Sequence, residues 1–205
     1  LVGSEMCIRD RRKIDLERNT KETQISLSLN LDGSGKSYHA IDLPFFSHML
    51  EQVSKHGDFD IDLSATGDLE VDAHHTVEDV GICMGDAFNK ALGEKKGIKR
   101  FGSAYAPLDE ALSRVVVDFS GRPGLSWNVE FTKDAINDFD LQLLREFFQG
   151  FTNKALATIH IDNLKGINAH HQAETIFKAF ALALKQACAL DESKIDQIPS
   201  TKGSL

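Results

Sequence analysis

With 205 residues, 41% of them apolar, the chain can bury roughly 70% of its unfolded surface as one unit, while a net charge of −8 with no basic stripe argues against nucleic acid as a partner. No run of roughly 18 apolar residues occurs, and the charges from Arg9 to Lys13 precede no apolar core, so neither a membrane span nor a secretion signal is expected. Three cysteines, Cys7, Cys83 and Cys188, make no even disulfide framework, and a soluble protein of the reducing cytoplasm fits best.

In chain order, Leu1 to Arg12 has no periodicity and reads as a non-native leader. Alternating Ile25, Leu27, Leu29 and Leu31 predict a half-buried strand. The turn residues Asp32-Gly33-Ser34-Gly35 lead into a return run ending at Leu43, as a hairpin would. Pro44 suits a first helical position, and alternating Phe59, Ile61 and Leu63 give another strand before a helix-patterned stretch that opens at His74. A boundary falls near Gly97 to Gly102. Beyond it Val115, Val117 and Phe119 lead into Gly121-Arg122-Pro123-Gly124 and alternating Leu125, Trp127, Val129 and Phe131. A helical stretch with Leu144, Phe147, Phe148 and Phe151 follows, then a strand with Ala157, Ile159 and Ile161, then a second helix at His170. Each half therefore reads strand, strand, helix, strand, helix. The expectation is one internally duplicated α+β domain with halves at about 13–98 and 99–205, its sheets covered by helices on one face.

The duplication is sharpest in two hexapeptides 96 residues apart, Ala73-His74-His75-Thr76-Val77-Glu78 and Ala169-His170-His171-Gln172-Ala173-Glu174. On a helix His74 and His75 diverge by about 100°, and Glu78 lies about 40° from the first and about 60° from the second. Adjacent histidines thus suit two ions rather than one, and the same holds for His170, His171 and Glu174. His48 on the first helix, and His160 on the strand before the second motif, stand where they would complete the sites. A lone helix histidine is ordinarily a hydrogen-bonded core residue, but packing requires no His-His pair at both equivalent places of a duplicated core. His48, His74, His75, Glu78, His160, His170, His171 and Glu174 then divide into two sets of three nitrogens and one oxygen, leaving room at each ion for water or substrate. Ligand type leaves the ion open, since imidazole suits zinc, copper, iron and nickel while carboxylate and water suit manganese and magnesium. So many histidines disfavour calcium and magnesium, and the lack of thiolates disfavours a structural zinc site.

In this context the residues resemble the imidazoleglycerol-phosphate dehydratase family over about Ile14 to Gly203. The resemblance rests on Arg18-Asn19-Thr20-Lys21-Glu22-Thr23, Pro44 to Gly57, Asp72 to Asp79, Arg100-Phe101-Gly102, Pro107-Leu108-Asp109-Glu110-Ala111, Gly121-Arg122-Pro123, Phe147 to Asn153, Asn168 to Lys178 and Pro199-Ser200-Thr201-Lys202-Gly203. It implies two manganese ions per active site on the eight donors named above. It also implies a homo-oligomer of roughly twenty-four subunits in which neighbouring chains share ligands, and a phosphorylated imidazole substrate. Arg100, Arg122, Ser200 and Lys202 match phosphate-contacting positions. Lys178 lies one helical turn beyond Glu174, and His48 and His56 join the expected substrate contacts.

The reaction implied is dehydration of D-erythro-imidazole glycerol phosphate to imidazole acetol phosphate in histidine biosynthesis. The hydrogen lost is not next to a carbonyl, so the ring has to drive the chemistry, as a metal-stabilised imidazolate that expels the hydroxyl to give a diazafulvene-like intermediate. Glu22 matches a substrate-contacting glutamate and is the first candidate for general acid/base work, alongside the motif glutamates Glu78 and Glu174. Metal-bound water competes for that role, with His56 as an assistant; His39 has no matching role. Two other readings stand beside the lyase. A dinuclear hydrolase suits the same donors but lacks an obvious bridging aspartate, and a structural or storage assembly would leave Arg100, Arg122 and the tail without a purpose.

Overall fold

The computed structural model describes residues 12–205, so the reading of a leader falls, Arg12 apart, outside the described residues. Arg12 itself is buried and donates to the Cys188 carbonyl at 2.8 Å. The first half runs β1 (Lys13–Asn19), β2 (Thr23–Asn30), β3 (Ser37–Ile41), α1 (Pro44–Gly57), β4 (Asp60–Gly67) and α2 (His74–Leu92). The second runs β5 (Phe101–Leu108), β6 (Ala111–Asp118), β7 (Gly124–Asn128), a short β8 (Ala135–Ile136) and β9 (Phe139–Asp140), α3 (Leu143–Ala155), β10 (Thr158–Lys165) and α4 (Ala169–Cys188). The sheet orders β1-β2-β4-β3 and β5-β6-β10-β7 repeat one topology, and the duplicated α+β arrangement stands.

Each half opens with one strand more than the hydrophobic pattern gives. In β1 only Ile14 and Leu16 mark the inner face among charges, and in β5 the buried residues include Ala104 and Ala106, too small to stand out. The turn at Asp32 to Gly35 is not a hairpin. It carries the chain past the end of β4, where Asp60 Oδ1 accepts the amides of Ser34 (2.8 Å) and Lys36 (3.0 Å). Strand β3 then pairs parallel to β4 with α1 as the crossover, and β7 pairs parallel to β10 in the same way.

Alternation on the strands buries one face of each sheet, with Ile25, Leu27, Leu29, Ile61 and Leu63 in the first and Val115, Val117, Ile159 and Ile161 in the second. The helices lie on these faces and pair across the halves, α1 against α4 and α2 against α3. Phenylalanines seal the layer. Phe147 meets Phe46 and Phe177 with ring centroids 5.5 Å apart, Phe88 meets Phe151 at 5.4 Å, and Phe148 meets Phe180 at 5.0 Å. Each fully buried ring contributes roughly 1.5–3 kcal/mol, and because the rings come from all four helices neither half keeps its core without the other. Among the described residues no helix is long and apolar enough to cross a membrane.

Candidate metal centre

Both hexapeptides sit at helix starts that are capped alike. Asp72 Oδ1 accepts the His74 amide at 2.7 Å and Asn168 Oδ1 accepts the His170 amide at 2.9 Å, satisfying donors a helix start otherwise leaves open. At the second motif, α1 brings His48 to α4. His48 Nε2 lies 3.4 Å and His170 Nε2 3.2 Å from the same oxygen, Glu174 Oε2, and three donor atoms of His48, His170 and Glu174 lie within 4.8 Å of one another. Two imidazole nitrogens and a carboxylate converging on one point fit a divalent cation. Burial pushes the Glu174 carboxyl up, but Lys178 at 2.7 Å and His48 outweigh it, so the group sits below the ordinary carboxylate range. His56 belongs to the same neighbourhood. Burial lowers its pKa most, Lys178 lowers it further, and Glu174 opposes both.

His75 and His171 diverge from the histidines that precede them, as the helical wheel requires. His75 Nδ1 faces Asp68 at 3.0 and 3.2 Å, and His171 Nδ1 faces Glu110 Oε2 at 2.8 Å. The bond to Asp68 raises the pKa of His75. Glu110 is held down to about 2, first by His171 and then by the amides of Asn168 and Ile167, which it accepts at 2.9 and 3.1 Å. Glu22, in the β1–β2 turn, has Oε1 4.0 Å from His75 Nε2 and a side chain 53% exposed.

His160 is not brought to either motif within this chain. It lies exposed on the β10 face opposite Ile159 and Ile161, away from the helix layer. The repeat itself supplies another residue. Buried Phe46, Met49, Leu50, Val53 and Ser54 of α1 correspond to Leu144, Phe147, Phe148, Phe151 and Thr152 of α3, and both helices end in a left-handed cap, Asp58 (φ 57°) and Leu156 (φ 51°). On that register Glu146 stands where α1 has His48, and α3 packs on the helix that carries His74 and Glu78. Aligning by the hexapeptides alone puts Leu144 opposite His48, because the segment between cap and motif is two residues shorter in the second half. That difference hides Glu146. Among the described residues the His48 group is the one whose donors already lie together; His74, Glu78 and Glu146 do not reach that closeness.

The expected phosphate contacts gather elsewhere. Arg100 donates to both Asp118 oxygens, at 2.7 and 3.1 Å, and to the Pro199 carbonyl at 2.9 Å. Arg122 is exposed, with its amide on Ser120 Oγ. Ser200 Oγ accepts the Lys202 amide at 3.2 Å, and Leu205 lies beside Gly121. The Arg100 amide donates to the Ala187 carbonyl at 2.9 Å, at the far end of α4. From residue 171 to 187 the helix spans about 24 Å at ~1.5 Å per residue. Within one chain the basic groups and the motif donors therefore sit at opposite ends of α4.

The imidazoleglycerol-phosphate dehydratase family model matches residues 41–184. The chain is 59% identical over 194 residues to the imidazoleglycerol-phosphate dehydratase of Janthinobacterium sp. (strain Marseille), covering 95% of this chain and 98% of that one. It is 60% identical to that of Albidiferax ferrireducens, covering 95% of each. Among solved structures it is similar to the dehydratase of Staphylococcus aureus subsp. aureus N315, with a TM-score of 0.78 at 37% identity, covering 87% of this chain and 99% of that chain. The Pyrococcus furiosus enzyme in complex with (S)-C348 gives a TM-score of 0.80 at 37% identity, covering 93% and 100%.

Proposed function

The chain belongs to the imidazoleglycerol-phosphate dehydratase family, hydro-lyases of histidine biosynthesis, and from that premise we propose that it dehydrates D-erythro-imidazole glycerol phosphate to imidazole acetol phosphate with two manganese ions at each active site. The convergence of His48, His170 and Glu174 carries the reading. One cation would be held by that trio and the second by His74 and Glu78, with His75, His171 and, from a neighbouring copy, His160 as the remaining donors. When bound, the cations would supply Lewis acidity that favours the anionic form of the substrate's ring.

The residues of the chain orient the substrate and move its protons. Lys178 and His56, beside Glu174, face the ring end of the site. Arg100, Arg122, Ser200 and Lys202 grip the phosphate, the guanidiniums by parallel hydrogen bonds and the lysine as a compact charge. Ring electrons would expel the side-chain hydroxyl, which leaves as water with the proton given up by the ring nitrogen; the resulting diazafulvene-like species has an acidified carbon–hydrogen bond, and loss of that proton gives the enol of the ketone. Glu22, half-exposed with Oε1 4.0 Å from His75 Nε2, is the carboxylate that would take that proton.

About 24 Å of helix between the donor and phosphate groups is far more than a ring, a three-carbon chain and a phosphate can span. The two groups serve one substrate only when different copies supply them. The reading therefore includes a homo-oligomer, of roughly twenty-four subunits as the family resemblance implies, with sites shared between chains. The test is incubation of the assembled protein with manganese and imidazole glycerol phosphate. The expected result is the enolised ketone in alkali; no product from metal-loaded, assembled protein overturns it.

A further inference from the structure

His75 and His171 each diverge from the histidine before them, yet each is held by a carboxylate at the same ring nitrogen. His75 Nδ1 meets Asp68 at 3.0 and 3.2 Å, and His171 Nδ1 meets Glu110 at 2.8 Å. An ionised carboxylate only accepts, so the Nδ1 that faces it carries the proton and Nε2 keeps the lone pair. We propose that Asp68 and Glu110 are positioning residues that lock His75 and His171 in the Nδ1–H tautomer and so present each Nε2 lone pair to a cation. The inference rests on the metal reading above.

The two carboxylates are not copies of one ancestral residue. Asp68 follows β4, whereas Glu110 sits in the β5–β6 turn. The place of Glu110 in the first half, the β1–β2 turn, is held by Glu22, whose nearest charged partner among the described residues is His75 Nε2 at 4.0 Å. The same ring geometry is thus reached twice from different parts of the fold. Glu110 also accepts the Ile167 and Asn168 amides, so it fixes the ring and the approach to its helix together. In the first half Asp68 holds the ring, and that leaves the turn glutamate free for substrate. One half spends its turn carboxylate on positioning while the other keeps it for proton transfer.

The test compares wild type with Asp68→Asn and Glu110→Gln. An amide is free to rotate its NH2 toward Nδ1, which then has to accept, moving the ring proton to Nε2 and blocking that nitrogen as a ligand. Solid-state 15N spectra of histidine-labelled, metal-free protein read the tautomer, with His75→Gln and His171→Gln assigning the signals. Manganese bound per chain at equilibrium dialysis reads the affinity. The expected outcome is a switch to Nε2–H at His75 or His171 respectively, and manganese binding weaker by roughly 10–100-fold. Among the described residues the Asp68 side chain hydrogen-bonds only His75, so Asp68→Asn isolates the tautomer even where Glu110→Gln loosens the loop. A wild-type chain that takes up no manganese overturns the functional reading itself. One that takes it up while Asp68→Asn keeps the wild-type tautomer and affinity overturns the positioning role alone.

Discussion

The buried Asp79 carboxylate of α2 accepts a 2.5 Å hydrogen bond from the Thr23 hydroxyl at the start of β2. Its other oxygen accepts Arg18 of β1 at 2.7 Å, so one side chain next to Glu78 closes both arms of the turn that carries Glu22. Asp79 is 5% and Thr23 2% exposed, which makes a lost acceptor expensive. Asp79→Ala should cost about 1.5–3 kcal/mol for the hydrogen bonds lost to a charged acceptor, read by chemical denaturation. It should also lower kcat, because Glu22 loses its footing. Glu22→Gln is the companion: it should keep stability and bound metal but lose turnover, and full turnover would remove Glu22 from the chemistry.

Helix α2 touches α3 through glycine. A Cβ at Gly85 would collide with the Phe151 carbonyl and would lie 3.0 Å from the Ala155 nitrogen, both backbone atoms that cannot swing aside. Alanine is favoured over glycine in a helix by about 1 kcal/mol, yet forcing apart a packed contact costs about 1–3 kcal/mol, so the clash prevails. Gly85→Ala should lower the denaturation midpoint; a rise would show that the helices separate freely.

Burial pushes the thiol of Cys83 to about 11 and that of Cys188 to about 12, from an ordinary value of 9.0. A raised folded pKa means the stability contribution is complete below pH 9 and is lost as pH climbs through 11 and 12. At pH 8 both groups remain protonated and enclosed, so peptide mass mapping should find neither alkylated in the native protein and both alkylated in guanidinium. Native labelling at Cys188 would mean that α4 opens locally.

Arg100 keeps its pair with Asp118 when the tail beyond Pro199 is removed, but Ser200 and Lys202 go. Truncation after Pro199 should raise KM for the phosphorylated substrate by roughly tenfold or more, the worth of one charged hydrogen bond. Unchanged kinetics would exclude both residues from the phosphate site.

The sequence carried the fold wherever side chains of unequal polarity alternate, as in Ile25 to Leu31, and the motif helices wherever two copies confirm each other. It concealed β1, whose inner face is only Ile14 and Leu16, and β5, whose inner residues include small alanines. It also concealed which strand pairs with β3 and β7, since parallel partners are fixed by the crossover helix rather than by neighbours in sequence. The period of two that buries Ile159 and Ile161 puts His160 on the opposite, exposed face of β10, as the sequence indicates, so within one chain it stands apart from the motif helices. The correspondence of Glu146 with His48 escaped because register runs along the helix cores and not along the hexapeptides.

Helix α4 acts as a rigid spacer, with imidazoles at its head and a basic cradle at its foot. Under the proposed assembly, competence belongs to the seam between copies, and damage at the two ends is separable. Subunits carrying His170→Ala and subunits carrying Arg100→Ala, inert as pure populations, should recover part of their turnover when dissociated and reassembled together. Two variants crippled at the same end should stay silent however they are mixed.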